Sequence, residues 1–288
     1  MGWESDRAIA LVAGPSGAGK SFFMANLPNA VIYDTDIGGG LAAYADRIAR
    51  MKSARVEVGS FAEILADLKA RQRDGSVPKT IVIDHITGLH QAAVLAANPT
   101  GEADYGRSAA QATSQWRGLR ELARKLDCNI FACAHLKGEW AQNTQVGMTT
   151  DGAKNIEADM GIVLYLVHPQ GAGYPSLAKV VKWRRDPDDK RGPVPASFKF
   201  TPEEFRRIAG DGMDRTAKPE ALASTAQIAE VRRLLGVVKL PEGKIDPKLK
   251  YLTEATVEQL AEITAKQAEA ATVYLNNLIA PPAQKGTK

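Results

Sequence analysis

The stretch GPSGAGKSFF at residues 14–23 decides the fold, and it follows directly on the apolar run AIALVA at residues 8–13. It satisfies the pattern G-x-x-x-x-G-K-[ST] between a predicted strand and a predicted helix. The fixed positions of the pattern are occupied by Gly14, Gly19, Lys20 and Ser21. Glycines let successive backbone N–H groups turn towards a phosphate, and the N-terminus of the helix adds positive potential. The stretch therefore predicts a phosphate-binding loop, called the P-loop below.

The ligand that this loop predicts is ATP with Mg²⁺. Lys20 would place a positive charge on the β- and γ-phosphates, and the Ser21 hydroxyl would coordinate Mg²⁺. Asp84 closes the apolar strand KTIVID and is the expected carboxylate that holds Mg²⁺ through water, with a helix-capping role as the alternative. The residues predicted to bind ATP are Gly14, Pro15, Ser16, Gly17, Ala18, Gly19, Lys20, Ser21 and Phe22.

Apolar strands and amphipathic helices alternate along the first 200 residues. The runs AVIYDTD at 30–36, KTIVID at 79–84 and NIFACAH at 129–135 are typical of strands that are buried on both faces of a sheet. Between the first two, SFAEILADLKARQRDG at 60–75 has the apolar spacing of a helix. The alternation predicts an α/β fold of the P-loop NTPase type, with a mainly parallel central sheet flanked by helices. Three further apolar runs between 161 and 200 predict a strand-rich extension.

A loop-like stretch separates two parts of different composition. We predict a P-loop core at residues 1–210, a linker at 211–224, a helical domain at 225–280 and a flexible tail at 281–288. Capping-box spacings predict three helices in the second domain, and they pair Ser224 with Gln227, Thr256 with Gln259, and Thr264 with Gln267.

Composition and residue spacing argue against a disulfide-bonded protein, a zinc protein and a secreted or membrane protein. The net charge of +4 is mild, so any affinity for nucleic acid has to come from local clusters of charge. Alternation along the strand places Cys128 and Cys133 on opposite faces, which argues against a disulfide, and the four scattered histidines have no zinc-site spacing. The first residues lack the pattern of a signal peptide or a membrane span, so we expect a cytoplasmic protein that does not bind membranes.

Polar side chains follow two of the predicted strands. Asp34 and Asp36 end the run IYDTD, and His135 ends the run NIFACAH. Because the carboxyl ends of parallel strands share one edge, these side chains are expected beside the bound phosphates. One of the two carboxylates could orient or deprotonate an attacking water. The ring of His135 could sense the γ-phosphate, with an ordinary loop histidine as the alternative.

With these motifs in order, the chain resembles the RecA-like ATPase core. More narrowly, it is similar to phage ATP-binding proteins of the AAA type that are regarded as RecA-like single-strand annealing recombinases. The resemblance rests on GPSGAGKS, on IYDTD where RecA-type proteins have D-x-E, on IVIDHITGL where they have a strand ending D-S, and on NIFACAHLKG where they have a strand ending N-Q. It spans about residues 7–200.

The resemblance implies roles for individual residues. Asp36 matches the catalytic carboxylate and Asp84 the Mg²⁺ carboxylate. His135 matches the glutamine that couples the γ-phosphate to a DNA-binding loop, so Asp36, Lys20 and His135 form the expected catalytic set. Asp36 is one methylene shorter than glutamate, and His135 is a different donor from glutamine. We therefore expect slow, DNA-stimulated hydrolysis.

Two segments are candidates for contact with single-stranded DNA. The segment LKGEWAQNTQVGMTTDGAKN at 136–155 is predicted to be a polar loop, and the resemblance assigns DNA binding there to Lys137, Trp140 and Lys154. A mobile loop that closes over the nucleotide is the alternative, and Lys154 could also reach a neighbouring subunit. The basic stretch KVVKWRRDPDDKR at 179–191 is either a solvated hairpin or a second contact region. Its candidate residues are Lys182, Arg184 and Arg185.

The sequence and the resemblance together predict a MgATP-binding ATPase of phage recombination that couples ATP occupancy to binding or annealing of single-stranded DNA. A homo-oligomer and a single-strand DNA-binding protein are its expected partners, in the host cytoplasm if a phage encodes the chain. The alternatives are a nucleotide-gated DNA-binding module with negligible hydrolysis, a small-molecule P-loop kinase, and a packaging or helicase motor.

Overall fold

In a computed structural model of the chain, the described residues are 7–36, 40–99, 105–141, 144–151, 156–167, 176–185, 192–210, 217–238, 246–254 and 257–279. The chain divides into two units, Met1–Pro219 and Glu220–Lys288. The division falls inside the predicted linker, whose residues 211–216 lie outside the described part.

The first unit is built on a mixed sheet. In the described part of the chain its strands are β1 (Ile9–Ala13), β2 (Ala30–Asp34), β3 (Ala54–Glu57), β4 (Thr80–Asp84), β5 (Asn129–Ala141), β6 (Thr144–Asp151), β7 (Ile162–Val167), β8 (Leu177–Trp183) and β9 (Ser197–Lys199). Their order is β3-β2-β4-β5-β1-β7-β8-β9, and β6 pairs with β5. The pairs from β3 to β7 are parallel, whereas β7-β8, β8-β9 and β5-β6 are antiparallel. The α/β fold with a mainly parallel sheet is thus confirmed.

Helices flank this sheet. They are α1 (Lys20–Met24), α2 (Ala45–Arg50), α3 (Phe61–Asp74), α4 (Ile86–Ala97), α5 (Tyr105–Lys125), α6 (Ile156–Asp159) and α7 (Pro202–Ala209). Local signals set the ends of α3, because the Ser60 hydroxyl accepts the N–H of Glu63 and Gly75 adopts a left-handed conformation with φ of +70°.

Helix α4 was not predicted. The apolar run continues past Asp84 and hides the start of the helix. The N-cap is His85, whose ring Nδ1 accepts the N–H of Gly88 at 3.1 Å. Histidine is not among the usual N-cap residues, so the sequence carried no capping signal at this position.

The core lies on both faces of the sheet. Along β1, Leu11 and Ala13 belong to one buried cluster, and Ala10 and Val12 belong to the other. The first cluster includes Trp116 of α5, and the second includes the aromatic rings Phe23, Phe131 and Phe205. Cys128 and Cys133 are buried in different clusters and are both free thiols, as the alternation predicts.

The segment after His135 is a β-hairpin, and its prediction as a loop was wrong. Strand β5 continues beyond its partners in the sheet, and β6 returns beside it with His135 opposite Asp151. Polar residues and glycines make up most of positions 136–151, and the sequence therefore lacked the apolar pattern of a strand.

The second unit is helical. Its helices in the described part are α8 (Thr225–Val237), α9 (Pro247–Thr253), α10 (Val257–Ala261) and α11 (Ala265–Ile279), one more than predicted. Reciprocal capping bonds join Ser224 with Gln227 and Thr264 with Gln267, whereas Thr256 lies outside the described residues. Buried aliphatic side chains form the core of the unit. None of the described helices in either unit combines the length and the hydropathy that a membrane crossing requires.

Phe205 provides a test of the packing of α7 on the sheet. Its fully buried ring lies 5.8 Å from Phe23, 5.3 Å from Phe131 and 5.5 Å from Trp183 between centroids. We expect Phe205→Ala to lower the free energy of unfolding by about 3–5 kcal/mol because of the cavity that remains. Urea unfolding measures this loss. Phe205→Leu should lose clearly less, and equal stability of Phe205→Ala and the wild type would contradict the packing.

Candidate functional site

The P-loop is held from outside by three neighbouring contacts. The N–H of Gly14 donates to the carbonyl of Ala134 on β5 at 3.2 Å. A Cβ on Gly14 would lie 2.9 Å from the Cβ of Leu166 on β7, so only glycine allows this close approach. The Ser176 hydroxyl donates to the carbonyl of Ala18 at 2.7 Å. These contacts fix the loop against β5, against β7 and against the start of β8.

Inside the loop, glycines supply the backbone conformation that the sequence predicts. Gly17 and Gly19 have φ of +76° and +82°, in the left-handed region where other residues are strained. Gly19 is the N-cap of α1, and no side chain caps that helix. The first N–H groups of α1 therefore remain directed towards the loop, as a phosphate site requires.

Lys20 folds back over the loop. Its Nζ donates to the carbonyls of Gly14 and Pro15, both at 2.8 Å, and the residue is buried. Burial lowers the pKa of Lys20, while the neighbouring Cys133 and Asp84 raise it. The ammonium group is therefore held by two carbonyls and by the field of Asp84, next to the backbone that would bind phosphate.

Asp84 lies at the end of β4 and is buried. Burial, followed by the negative field of Asp84, raises the pKa of the Cys133 thiol well above its usual value, which indicates that the two groups are close. A thiol that stays protonated can donate to the Asp84 carboxylate and orient it. The register places Asp84 opposite Asp34 of β2, so the carboxyl edge gathers acidic residues as predicted.

Asp34 and Asp36 differ in their surroundings. Asp34 is buried, and its Oδ2 accepts from the Nε of Arg55 at 2.7 Å in a salt bridge, while its Oδ1 accepts the N–H of Asp36 at 3.1 Å. Asp36 is exposed, and within the described residues its carboxylate has no salt-bridge partner. Of the two carboxylates, Asp34 is thus committed to Arg55, and Asp36 is available to a water.

His135 lies where β5 leaves the sheet. Its ring meets that of His85 edge to face, with centroids 4.7 Å apart. Burial lowers the pKa of His135, and the positive fields of His85 and Lys20 lower it further. These effects favour the neutral imidazole, which can both donate and accept a hydrogen bond.

Ser21 and Phe22, the last two predicted ATP-binding residues, lie in α1. Ser21 follows Lys20 in α1 and is partly buried. Phe22 is 44% exposed, with Tyr44 edge-on to its ring and the guanidinium of Arg47 4.7 Å from its centroid. The residues present fit a nucleotide with Mg²⁺, because the loop conformation, the buried lysine, the Ser21 hydroxyl and the buried Asp84 occur at one edge.

The first group of DNA-contact candidates lies on the hairpin. Lys137 is exposed and forms a salt bridge to Asp151, with Nζ 3.1 Å from Oδ1. Trp140 lies in β5, where its backbone pairs with Gln145, but its side chain lies outside the described part. Lys154 lies outside the described residues altogether.

The second group is hydrogen-bonded to the chain's own backbone. Lys182 donates to the carbonyls of Glu157 and Ala158 at 2.7 and 3.0 Å, and Arg184 donates to that of Ala158 at 3.2 Å. Arg185 donates to the carbonyls of Gly192 and Ile208, and its guanidinium lies over the ring of Trp183. These three side chains stabilise the fold whether or not they also contact a ligand.

Sequence reasoning missed two residues of the site, Thr35 and Arg55. It also missed Thr87, which lies outside the nucleotide-binding residues and contacts the base of the hairpin. Thr35 follows β2, and its hydroxyl accepts the N–H of His85 and donates to the carbonyl of the same residue, both at 2.9 Å. Arg55 pairs with Asp34 across neighbouring strands. No sequence motif marks a threonine after β2 or an arginine in β3 as part of a site, so these partners become visible only once the order of the strands is known.

A family model described as an AAA domain matches residues 6–173, which is more than half of the chain. The matched segment contains the P-loop, Asp84, His135 and the whole hairpin. No curated protein matches the chain.

Paired substitutions test the division between the two aspartates. Asp34→Asn removes one partner of a largely buried salt bridge, and we expect a loss of about 2 kcal/mol in the free energy of unfolding. Asp36→Asn is the matched control, and the exposed position should change stability by less than about 0.5 kcal/mol. Thermal unfolding of both variants measures the difference. Equal stabilities would contradict a structural role for Asp34.

Proposed function

We propose that this chain, which belongs to the AAA domain family, hydrolyses ATP and couples the occupancy of its nucleotide site to the binding of single-stranded DNA. Because it belongs to this family, the chain contains an AAA-type P-loop ATPase domain. Members of this family typically bind a nucleotide with Mg²⁺. The observation that carries the catalytic proposal is the convergence of Lys20, Asp84 and His135 at the carboxyl edge of the sheet.

Each residue has a role that follows from its surroundings. Backbone N–H groups of the P-loop and the Lys20 ammonium would bind the phosphates, with Ser21 and Asp84 holding the metal ion. Mg²⁺, when bound, supplies charge that neutralises the phosphate oxygens. Asp36 would orient the attacking water and accept its proton. Asp36 is exposed, and within the described residues no salt-bridge partner orients its carboxylate towards a water, which agrees with the proposed slow turnover.

His135 would report the state of the γ-phosphate. In the neutral form, its imidazole can donate to a phosphate oxygen through one nitrogen while the other accepts. His135 also begins the part of β5 that pairs with β6 in the hairpin. A hydrogen bond gained or lost at this ring would therefore act directly on the base of the hairpin.

We place the contact with single-stranded DNA on the hairpin. Lys137 is exposed there, and Trp140 lies close to the hairpin turn, where an aromatic ring could stack on a base. Lys182, Arg184 and Arg185 are weaker candidates because backbone carbonyls already accept their hydrogen bonds. A role in phage recombination, self-association and a single-strand DNA-binding protein as partner belong to the same proposal.

The second candidate function is a nucleotide-gated DNA-binding module with negligible hydrolysis. One observation favours it, namely the exposure of Asp36, since no described side chain holds its carboxylate towards the P-loop. Such a protein would bind MgATP through the same residues and would change its affinity for DNA without turnover.

Lys20→Ala tests the nucleotide site. Removing the charge that faces the phosphates should lower ATP hydrolysis by at least about 100-fold, with circular dichroism showing an intact fold. The control is Lys266→Ala, a variant of an exposed lysine in α11, which should hydrolyse ATP like the wild type. Wild-type ATP affinity in a folded Lys20→Ala variant would argue strongly against this site.

Titration with DNA separates the two candidate functions. ATP hydrolysis is measured with single-stranded DNA, with duplex DNA and without DNA. We expect single strands to stimulate turnover, and Lys137→Gln to weaken DNA binding and to reduce the salt slope by about 1. Lys69→Gln in α3 is the control and should bind DNA unchanged. If MgATP binds but no condition gives turnover, the nucleotide-gated module replaces the ATPase.

A further inference from the structure

One buried hydroxyl closes the base of the hairpin. Thr87 of α4 is 4% exposed, and its hydroxyl donates to the carbonyl of Asp151 at 2.6 Å while it accepts the N–H of His135 at 3.3 Å. His135 and Asp151 are the first residue pair of the hairpin. The hydroxyl therefore holds both strands, β5 and β6, at the point where they leave the sheet.

The same helical turn is fixed to the nucleotide edge. His85 caps α4 through its ring, which accepts the N–H of Gly88, and the ring also packs against that of His135. The backbone N–H and carbonyl of His85 are both held by the hydroxyl of Thr35, the residue before Asp36. Asp84 directly precedes His85. Thr87 is thus two residues from His85, which contacts the residue after β2 and the point where β5 leaves the sheet.

Together these bonds form a continuous connection from the ends of β2 and β4 to the hairpin. We propose that Thr87 is a positioning residue that transmits nucleotide-dependent changes at Asp84, His85 and His135 to the hairpin. This inference rests on the proposed function, because it requires nucleotide binding at the P-loop. Nucleotide binding and the response of the hairpin are separate events, since the nucleotide could bind without moving the hairpin.

Because the hairpin is long, its base controls the position of its far end. The six residues of β5 after His135 extend about 20 Å at the usual rise of a strand, so a small rotation at the base becomes a large movement at the far end. A single buried hydroxyl that bonds to both strands moves them together, which a contact to one strand would not do.

A second contact at the base provides a matched control. The Glu157 carboxylate accepts the N–H and the hydroxyl of Thr150 at 3.2 and 2.9 Å, and the hydroxyl of Tyr165 at 2.7 Å. This contact ties β6 to β7 and α6, and it does not involve His85 or α4. Weakening it should loosen the hairpin without interrupting the connection to the nucleotide edge.

The test is amide hydrogen exchange of peptides within 135–151, followed by mass spectrometry with and without a non-hydrolysable ATP analogue and Mg²⁺. In the wild type we expect the analogue to change exchange in the hairpin. Thr87→Val should bind the analogue with unchanged affinity and lose that change. Thr87→Ser keeps the hydroxyl and should restore it. Tyr165→Phe should exchange faster in both states and retain the difference between them.

Several results would overturn the inference. If the nucleotide changes hairpin exchange in Thr87→Val as much as in the wild type, the hydroxyl has no role in transmission. If Tyr165→Phe also loses the change, the effect of Thr87→Val reflects a general loosening of the hairpin. If the wild type binds the analogue and its hairpin does not respond, this inference fails alone. If the analogue does not bind, the proposed function fails first. Should Thr87→Val not fold, Thr87→Ala removes the same hydroxyl and replaces it in the test.

Discussion

A P-loop has to leave most of its N–H groups free for a phosphate, and this constraint determines much of the surrounding structure. A loop that makes few internal hydrogen bonds must be held by its neighbours. Here β1 lies between β5 and β7, so the carbonyl of Ala134 and the side chain of Leu166 fix one end of the loop, and Ser176 fixes the other. Lys20 also depends on these neighbours. A buried cation is tolerated only where polar groups compensate its charge, and here two carbonyls and the carboxylate of Asp84 do so.

The acidic and imidazole groups at this edge are distinguished by their partners. Arg55 neutralises Asp34, which leaves Asp36 as the exposed carboxylate, and burial favours the neutral ring of His135. One strand, β5, carries both the thiol beside Asp84 and the histidine at the base of the hairpin. The proposed nucleotide site and the hairpin therefore share one strand, and this geometry supports the proposed coupling between them more strongly than any single motif does.

Sequence reasoning succeeded where a residue type has few structural uses. The glycine turn at Gly17 and Gly19 and the strand that ends at Asp84 are of this kind, whereas the phosphate and Mg²⁺ roles of Lys20 and Asp84 remain predictions. It did not find α4, because His85 is an unusual cap, and it missed the hairpin, because polar residues and glycines make up most of that segment. The pairing of Arg55 with Asp34 and the two threonine contacts depend on which strands become neighbours, and no local pattern encodes the order β3-β2-β4-β5.

The aromatic cluster around α1 has a consequence for dissection of the molecule. Phe23, three residues after the P-loop lysine, stacks on Phe200 at 4.2 Å and meets Phe205 of α7. Both partners lie beyond residue 173, where the family match ends. A fragment cut at that boundary would keep every motif of the P-loop and expose one side of the helix that follows it. The folded module is therefore longer than the segment that the family model matches, and a minimal domain that keeps the site has to extend through α7.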